Sequence, residues 1–346
     1  MRILPILYCI SFVIHCFSFL HNFSYQLLLP KMGVQNPTIQ PIYNIYNIQK
    51  QNHLTMSMER KTDNIALLKM IRPSNIIPTF MLSFMGGWIV NPDIKLLLAK
   101  RFWISAIITQ LVMSGSMVIN DIYDIDVDRK NNPLRPLPSG KVSIQSASIF
   151  TGILFLSAII LGHIHFANTK LPIIISTSVC MLIMYTPIFK RMCFIKNLVC
   201  ATIVSGSIAF SGLAIGLKNP LLLSSIVRLV AASSIHMEIL NDIRDYKGDR
   251  EAKILTIPVV FGKMAAGIFA KLVLYIGVID AIITSFCYPF SVTIGIIIAC
   301  YLMIRNIIVC EMCGFSKNTI KKATNGTTIS LFLNMLIFCY AATVVL

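Results

Sequence analysis

Charge is what this sequence has least of. Only 13% of its 346 residues are charged, against about a quarter in an average soluble domain. Acids are scarcer still: 14 Asp+Glu stand against 30 Lys+Arg, a formal balance of +16 at pH 7. Hydrophobic residues make up 56% of the chain, and its mean hydropathy is +0.76. A water-soluble globule cannot hide that much apolar surface, so soluble enzymes and disordered proteins are excluded. The ten cysteines lie mostly in apolar runs, which argues against a disulfide scaffold. Cys310 and Cys313 form a C-x2-C with no second pair or histidine cluster beside it, so zinc is not indicated. There is no long hydrophilic basic stretch either, so a nucleic-acid partner is excluded. In a membrane protein a basic excess marks topology and contact with anionic lipid.

What is there is a series of apolar runs. From Arg72 onward they span roughly 76–92, 102–120, 143–163, 171–187, 197–217, 221–240, 264–284, 289–309 and 326–346. Each is near the length that crosses a bilayer. The fold class expected is therefore all-α, a polytopic membrane bundle of about nine transmembrane helices. Lys and Arg in the loops divide 19 to 5 between the two sides, so one face is cytosolic or stromal. The block 1–58 precedes all this and contains no acid. It opens with Arg2 and an apolar run from Ile3 to Leu20, then becomes rich in Asn, Gln and Tyr. Such a block is expected to be a targeting leader, signal plus transit-like segment, directing residues 59–346 to a plastid membrane or, failing that, an endomembrane.

The few acids are not scattered. Four lie within 121–128 and five within 238–251, so nine of the 14 occupy 22 positions. Random placement would put about one there, and clustered acids in an apolar chain require a cause. The two clusters also repeat one another: Asn120–Arg129 reads NDIYDIDVDR and Asn241–Arg250 reads NDIRDYKGDR, matching at six of ten positions. Each follows an even-numbered span, which predicts two four-helix repeats plus a ninth helix.

On a helix, Asn120, Asp124 and Asp128 share one stripe, with Asp121 beside them. Asn241, Asp245 and Asp249 repeat it, with Asp242 and Glu238 alongside. Carboxylates four apart repel, so stability alone does not place them there. A hard cation such as Mg2+ relieves the repulsion and is commonly held by a few carboxylates together with substrate phosphates. Asp124, Asp128, Asp245 and Asp249 are thus the expected catalytic centre, rimming a cup suited to a Mg2+-bound diphosphate. In the Pro-rich run after the first cluster, Arg135 is presented for phosphate oxygens, and Lys190 and Arg191 stand on the same face.

These residues carry a resemblance. NDxxDxxxD with the tail NNPLRPLPSG, the segment Tyr185-Thr186-Pro187-Ile188-Phe189-Lys190-Arg191, and the second DxxDxxxD running into TIPVVFG resemble the UbiA-type intramembrane prenyltransferases over about 65–346. Within that family the tail is similar to the digeranylgeranylglyceryl phosphate synthase, homogentisate prenyltransferase and chlorophyll synthase branches. Lys247-Gly248-Asp249 departs from their usual Glu-Gly-Asp. The resemblance implies that Asn120, Asp121, Asp124, Asp128, Asp242, Asp245 and Asp249 engage Mg2+. It implies diphosphate contacts from Arg135, Lys190, Arg191 and Arg72, with Asn75 and Tyr185 near the substrate. A prenyl diphosphate, a lipophilic acceptor and membrane lipid are the partners it implies. Two rivals remain distinguishable. A cation-coupled transporter places its acids mid-helix, and a CDP-alcohol-type phosphotransferase has a single Asp-rich signature.

Overall fold

The computed structural model describes residues 63–216, 218–251 and 254–345. The expected leader lies outside the described residues. Twelve helices follow one another: α1 Asn64–Met70, α2 Ile76–Val90, α3 Lys100–Tyr123, α4 Ile125–Asn131, α5 Ile144–Phe166 and α6 Leu171–Tyr185. They continue as α7 Ile195–Ile215, α8 Pro220–Glu251, α9 Ile257–Phe261, α10 Lys263–Ser285, α11 Phe290–Met312 and α12 Lys317–Val345. Among the described residues there is no strand.

Each of the nine expected spans falls on one of these helices. Seven are long and apolar enough to cross a membrane, while α2 and α6 have only 15 residues each. Two ends differ from expectation in the same direction. Helix α8 continues past residue 240 to Glu251, and α12 begins at Lys317 rather than 326. Both extensions are polar, and an apolar-run criterion cannot see a helix once it leaves the hydrocarbon. The integral, multi-pass membrane architecture stands.

The packing repeats as the sequence does. Helix α3 packs along α5 in the first half and α8 along α10 in the second, while α2 lies against α7 where the halves meet. Helix α12 packs on α11 and returns to α8 and α2. The central contact is close because a small residue sits there: a Cβ on Gly86 would lie 2.1 Å from the Ile208 carbonyl oxygen. Without a hydrophobic drive between helices in lipid, such backbone approach and interhelical hydrogen bonds are what hold spans together. Buried Ser105 and Ser211 supply one, Oγ to Oγ at 3.1 Å. Large apolar side chains such as Ile153, Ile173, Ile276 and Ile298 remain exposed on the outside, as a lipid-facing wall requires.

A small third cluster closes the cationic face. Ala66 and Met70 of α1 bury against Leu137, Val142 and Ala147. Asp63 caps α1 by accepting from the Ile65 N–H, and its own N–H donates to the Lys141 carbonyl at 3.1 Å. This ties the segment 132–143 to α1 and fixes the approach of both Arg72 and Arg135.

Candidate active site

The two acid clusters stand at the ends of α3–α4 and of α8. In the first, α3 stops at Tyr123 and Asp124 takes φ −90°, ψ 7° before α4 begins. The expected continuous helix is therefore broken at Asp124. The phase survives, because the Asp124 N–H reaches the Asn120 carbonyl at 2.9 Å and the Asp128 N–H reaches the Asp124 carbonyl at 2.8 Å. The second cluster lies on unbroken helix, Glu238 to Asp249 within α8.

Bases from other elements converge on the first cluster. Arg72 donates to Asp121 at 2.7 Å from a backbone held at φ 50°, in the left-handed region. That conformation is uncommon for a residue with a side chain, and it persists where surrounding structure over-determines it. Arg135 bridges Asp121 at 3.3 Å and Asp128 at 2.6 Å. Lys190 contacts both oxygens of Asp124 at 2.6 and 2.7 Å, and Asn120 donates to the same carboxylate at 2.9 Å. Asn75 donates to the Met117 sulfur at 3.8 Å rather than to any acid. The backbone of Arg191 closes the short turn Phe189–Arg191, and its side chain lies outside the described residues.

In the second cluster Asp242 is buried and is held by the Lys196 ammonium and by Asn197 Nδ2 at 3.1 Å. Asp245 is paired with Arg244, its neighbour on the same helix, at 2.9 Å. Oδ2 of Asp249 is buried and makes no hydrogen bond of ordinary geometry among the described residues, although the Thr256 hydroxyl lies in range of the carboxylate. Lys196 lies within electrostatic range of Glu238 and Asp249 as well. Tyr185, at the end of α6, accepts from the Cys200 thiol at 3.2 Å and lies in range of Glu238 and Asp242. Burial and the Asp242 charge push the Cys193 thiol up, so it stays protonated near neutral pH and adds no further anion.

Lys196 and Asn197 were not singled out in the sequence, where Lys196 counted only as a loop charge. The internal repeat contains the signal. Asp121 and Asp242 occupy the same place in the two motifs, and each is held by a base at the entrance to the first long helix of its own half. Arg72 precedes α2, and Lys196 lies in the first turn of α7. Applying the repeat to the bases as well as the acids identifies Lys196. Lys190, in the segment between α6 and α7, and Lys196, six residues on in the first turn of α7, each touch one cluster.

Among the described residues no three His, Cys, Asp or Glu side chains are grouped closely enough to hold a metal ion by themselves. The donor set nonetheless fits a hard divalent cation: it is all oxygen, and the buried Asp249 oxygen is unpartnered. Acids interleaved with guanidinium and ammonium groups suit a ligand that carries dense negative charge and a cation together. The clusters occupy helix ends rather than mid-helix, which is not the layout of a cation-coupled transporter.

Comparison with known proteins agrees. Residues 76–342 match the UbiA prenyltransferase family. The digeranylgeranylglyceryl phosphate synthase of Saccharolobus solfataricus is 33% identical over 208 residues, covering 60% of this chain and 72% of its own. That of Methanosphaera stadtmanae is 29% identical over 229 residues, 65% of this chain and 78% of its own. A solved structure concerned with digeranylgeranylglyceryl phosphate synthase in membranes superposes with a TM-score of 0.70 at 27% identity, covering 80% of this chain and 97% of that one. A UbiA homologue from Archaeoglobus fulgidus, solved with GPP and Mg2+, shares the fold with a TM-score of 0.58 at 18% identity, covering 79% and 99%. Acid pairs at two helix ends, a twofold-repeated membrane bundle and this match over most of its length lead to one conclusion: the chain belongs to the UbiA prenyltransferase family and is a membrane prenyltransferase.

Proposed function

We propose that this enzyme transfers a geranylgeranyl-type group from its diphosphate to the free hydroxyl of a prenylated glyceryl phosphate, with Mg2+ as cofactor. The observation that carries the reading is the pair of acid clusters bridged by Lys190, before α7, and Lys196, in its first turn. The acceptor follows the names of the archaeal relatives described above, digeranylgeranylglyceryl phosphate synthases.

In this reading Asn120, Asp121, Asp124, Asp128, Asp242, Asp245 and Asp249 hold the cation. When bound, Mg2+ supplies positive charge to the diphosphate oxygens. Arg72, Arg135, Lys190 and Arg191 contact phosphate oxygens that gain charge as the allylic C–O bond breaks. The diphosphate departs with the electron pair of that bond. The acceptor oxygen forms the new C–O bond at the allylic carbon and releases its proton. Asn75 and Tyr185 border the substrate where the bundle turns apolar, and the surrounding spans exclude water from the cationic carbon. Lys196 acts through Asp242, as a positioning residue.

The test is an assay of the full chain in membranes with geranylgeranyl diphosphate, Mg2+ and separate acceptors: geranylgeranylglyceryl phosphate, an aromatic quinone precursor and a chlorophyllide. An ether product from the glyceryl phosphate alone, abolished by EDTA, is expected. Product from one of the other acceptors overturns the acceptor, and full turnover in EDTA overturns the metal.

A further inference from the structure

On the same cationic face, but lined by neither acid cluster, a cavity of about 140 Å³ opens between α11 and α12. Its walls are Arg305, Asn306 and Val309 from α11 and Thr319, Lys322 and Ala323 from α12. That volume is far more than a single water needs. Four of the six lining side chains are hydrogen-bond donors, and two carry full positive charge.

Those charges have no acid to answer them. Helices α11 and α12 carry a single acid between them, Glu311. It is engaged by Lys271 of α10 at 2.6 Å. Among the described residues neither Arg305 nor Lys322 has an ion pair. Arg305 stands seven residues before the end of α11, about 10 Å along its axis, and Lys322 five residues after the start of α12, about 7.5 Å. Around Arg305 on α11, Tyr301, Ile308, Val309 and Met312 are exposed, so this wall faces lipid. An exposed arginine on a lipid-facing wall, level with the polar start of α12, stands where anionic headgroups lie. Asn306 is held in place by a close approach: a Cβ on Gly326 of α12 would lie 2.0 Å from Asn306 Nδ2. The two helices thus form a preset wall with donors on both sides.

We propose that this cleft binds the phosphate headgroup of an anionic membrane lipid, with Arg305 and Lys322 on the phosphate oxygens and Asn306 completing the set; the Thr319 hydroxyl already donates to the Ser316 carbonyl. The apolar surface beside it takes the acyl chains, which is why a lipid, and not a soluble phosphate ion, is the ligand. The site stands independently of the acceptor proposed above.

Purified full-length protein in an uncharged detergent tests this by thermal unfolding and by lipid retention in native mass spectrometry. The probes are dioleoyl phosphatidic acid, dioleoylglycerol and inorganic phosphate. Phosphatidic acid is expected to raise Tm and remain bound, while dioleoylglycerol and phosphate at equal concentration do neither. Arg305→Gln and Lys322→Gln should each weaken phosphatidic acid binding about tenfold, and Lys321→Gln, outside the cleft, should not. Arg305 and Lys322 are both exposed, so either variant should fold, and Arg305→Lys, which keeps the charge, should keep most of the binding. Equal binding by Lys322→Gln and the parent protein, or by dioleoylglycerol, overturns the proposal. A Tm rise with inorganic phosphate alone makes it a soluble-anion site and overturns the lipid.

Discussion

The two acid clusters share a motif but not a state of neutralisation. In the first, Asp121, Asp124 and Asp128 are each held by a base from another element: Arg72, Arg135 or Lys190. In the second, only Asp242 is so held, while Asp245 has its neighbour Arg244 and Asp249 has no base in direct contact, with Thr256 and Lys196 only in range. A duplicated sequence has thus been given one half whose charges are satisfied internally and one half with carboxylate oxygens to spare. In the proposed reaction a cation meets least competition at the second half, and phosphate oxygens find their bases at the first.

The sharpest way to break this comparison is at Asp249. Asp249→Asn keeps shape and removes the spare charge, and should lower kcat by 10²-fold or more in the prenyl-transfer assay. Retention of full activity would show that the unpartnered oxygen is incidental. Next comes the base of the second half. Lys196→Ala strands the buried Asp242 carboxylate and should cost about 3–5 kcal/mol, read as a loss of Tm. Arg72→Ala should cost less, because Arg135 still reaches Asp121. Pairing Lys196→Met with Asp242→Leu should recover the stability but not the activity.

At the contact between halves, Gly86→Val should destabilise by about 1–3 kcal/mol through overpacking against Ile208. Gly152→Ala, with nothing within 4 Å of the added carbon, should be neutral or slightly stabilising. The smallest effect is expected from Asp126→Asn. That acid lies in the first cluster but points outward to an exposed pair with Arg129. Tm should move by no more than the equivalent of about 0.5 kcal/mol and turnover should not change.

The length of uninterrupted apolar runs made the expected spans legible, since lipid forces helices and fixes how long they must be. The acids were legible for the opposite reason: charge in so apolar a chain has no structural excuse. The helical phase of the second acid cluster anticipated the polar end of α8; the polar start of α12 was not legible, because a hydropathy pattern stops where the hydrocarbon stops. Lys196 was hidden among basic loop residues that topology alone explains. Its role depends on which acid it meets 46 residues away, and only the repeat, extended from acids to bases, reveals it. The break at Asp124 has no sequence signal, for neither Gly nor Pro stands there.

Helix α8 has 32 residues, about 48 Å of axis, against a hydrocarbon slab of about 30 Å. Its surplus lies at the end bearing Asp242, Asp245 and Asp249. In the proposed reaction the bilayer acts as a ruler: its thickness sets how far these carboxylates stand from the apolar slab that holds the prenyl chain. Lipids with longer acyl chains draw the acidic turns toward the apolar slab, and shorter ones lift them clear.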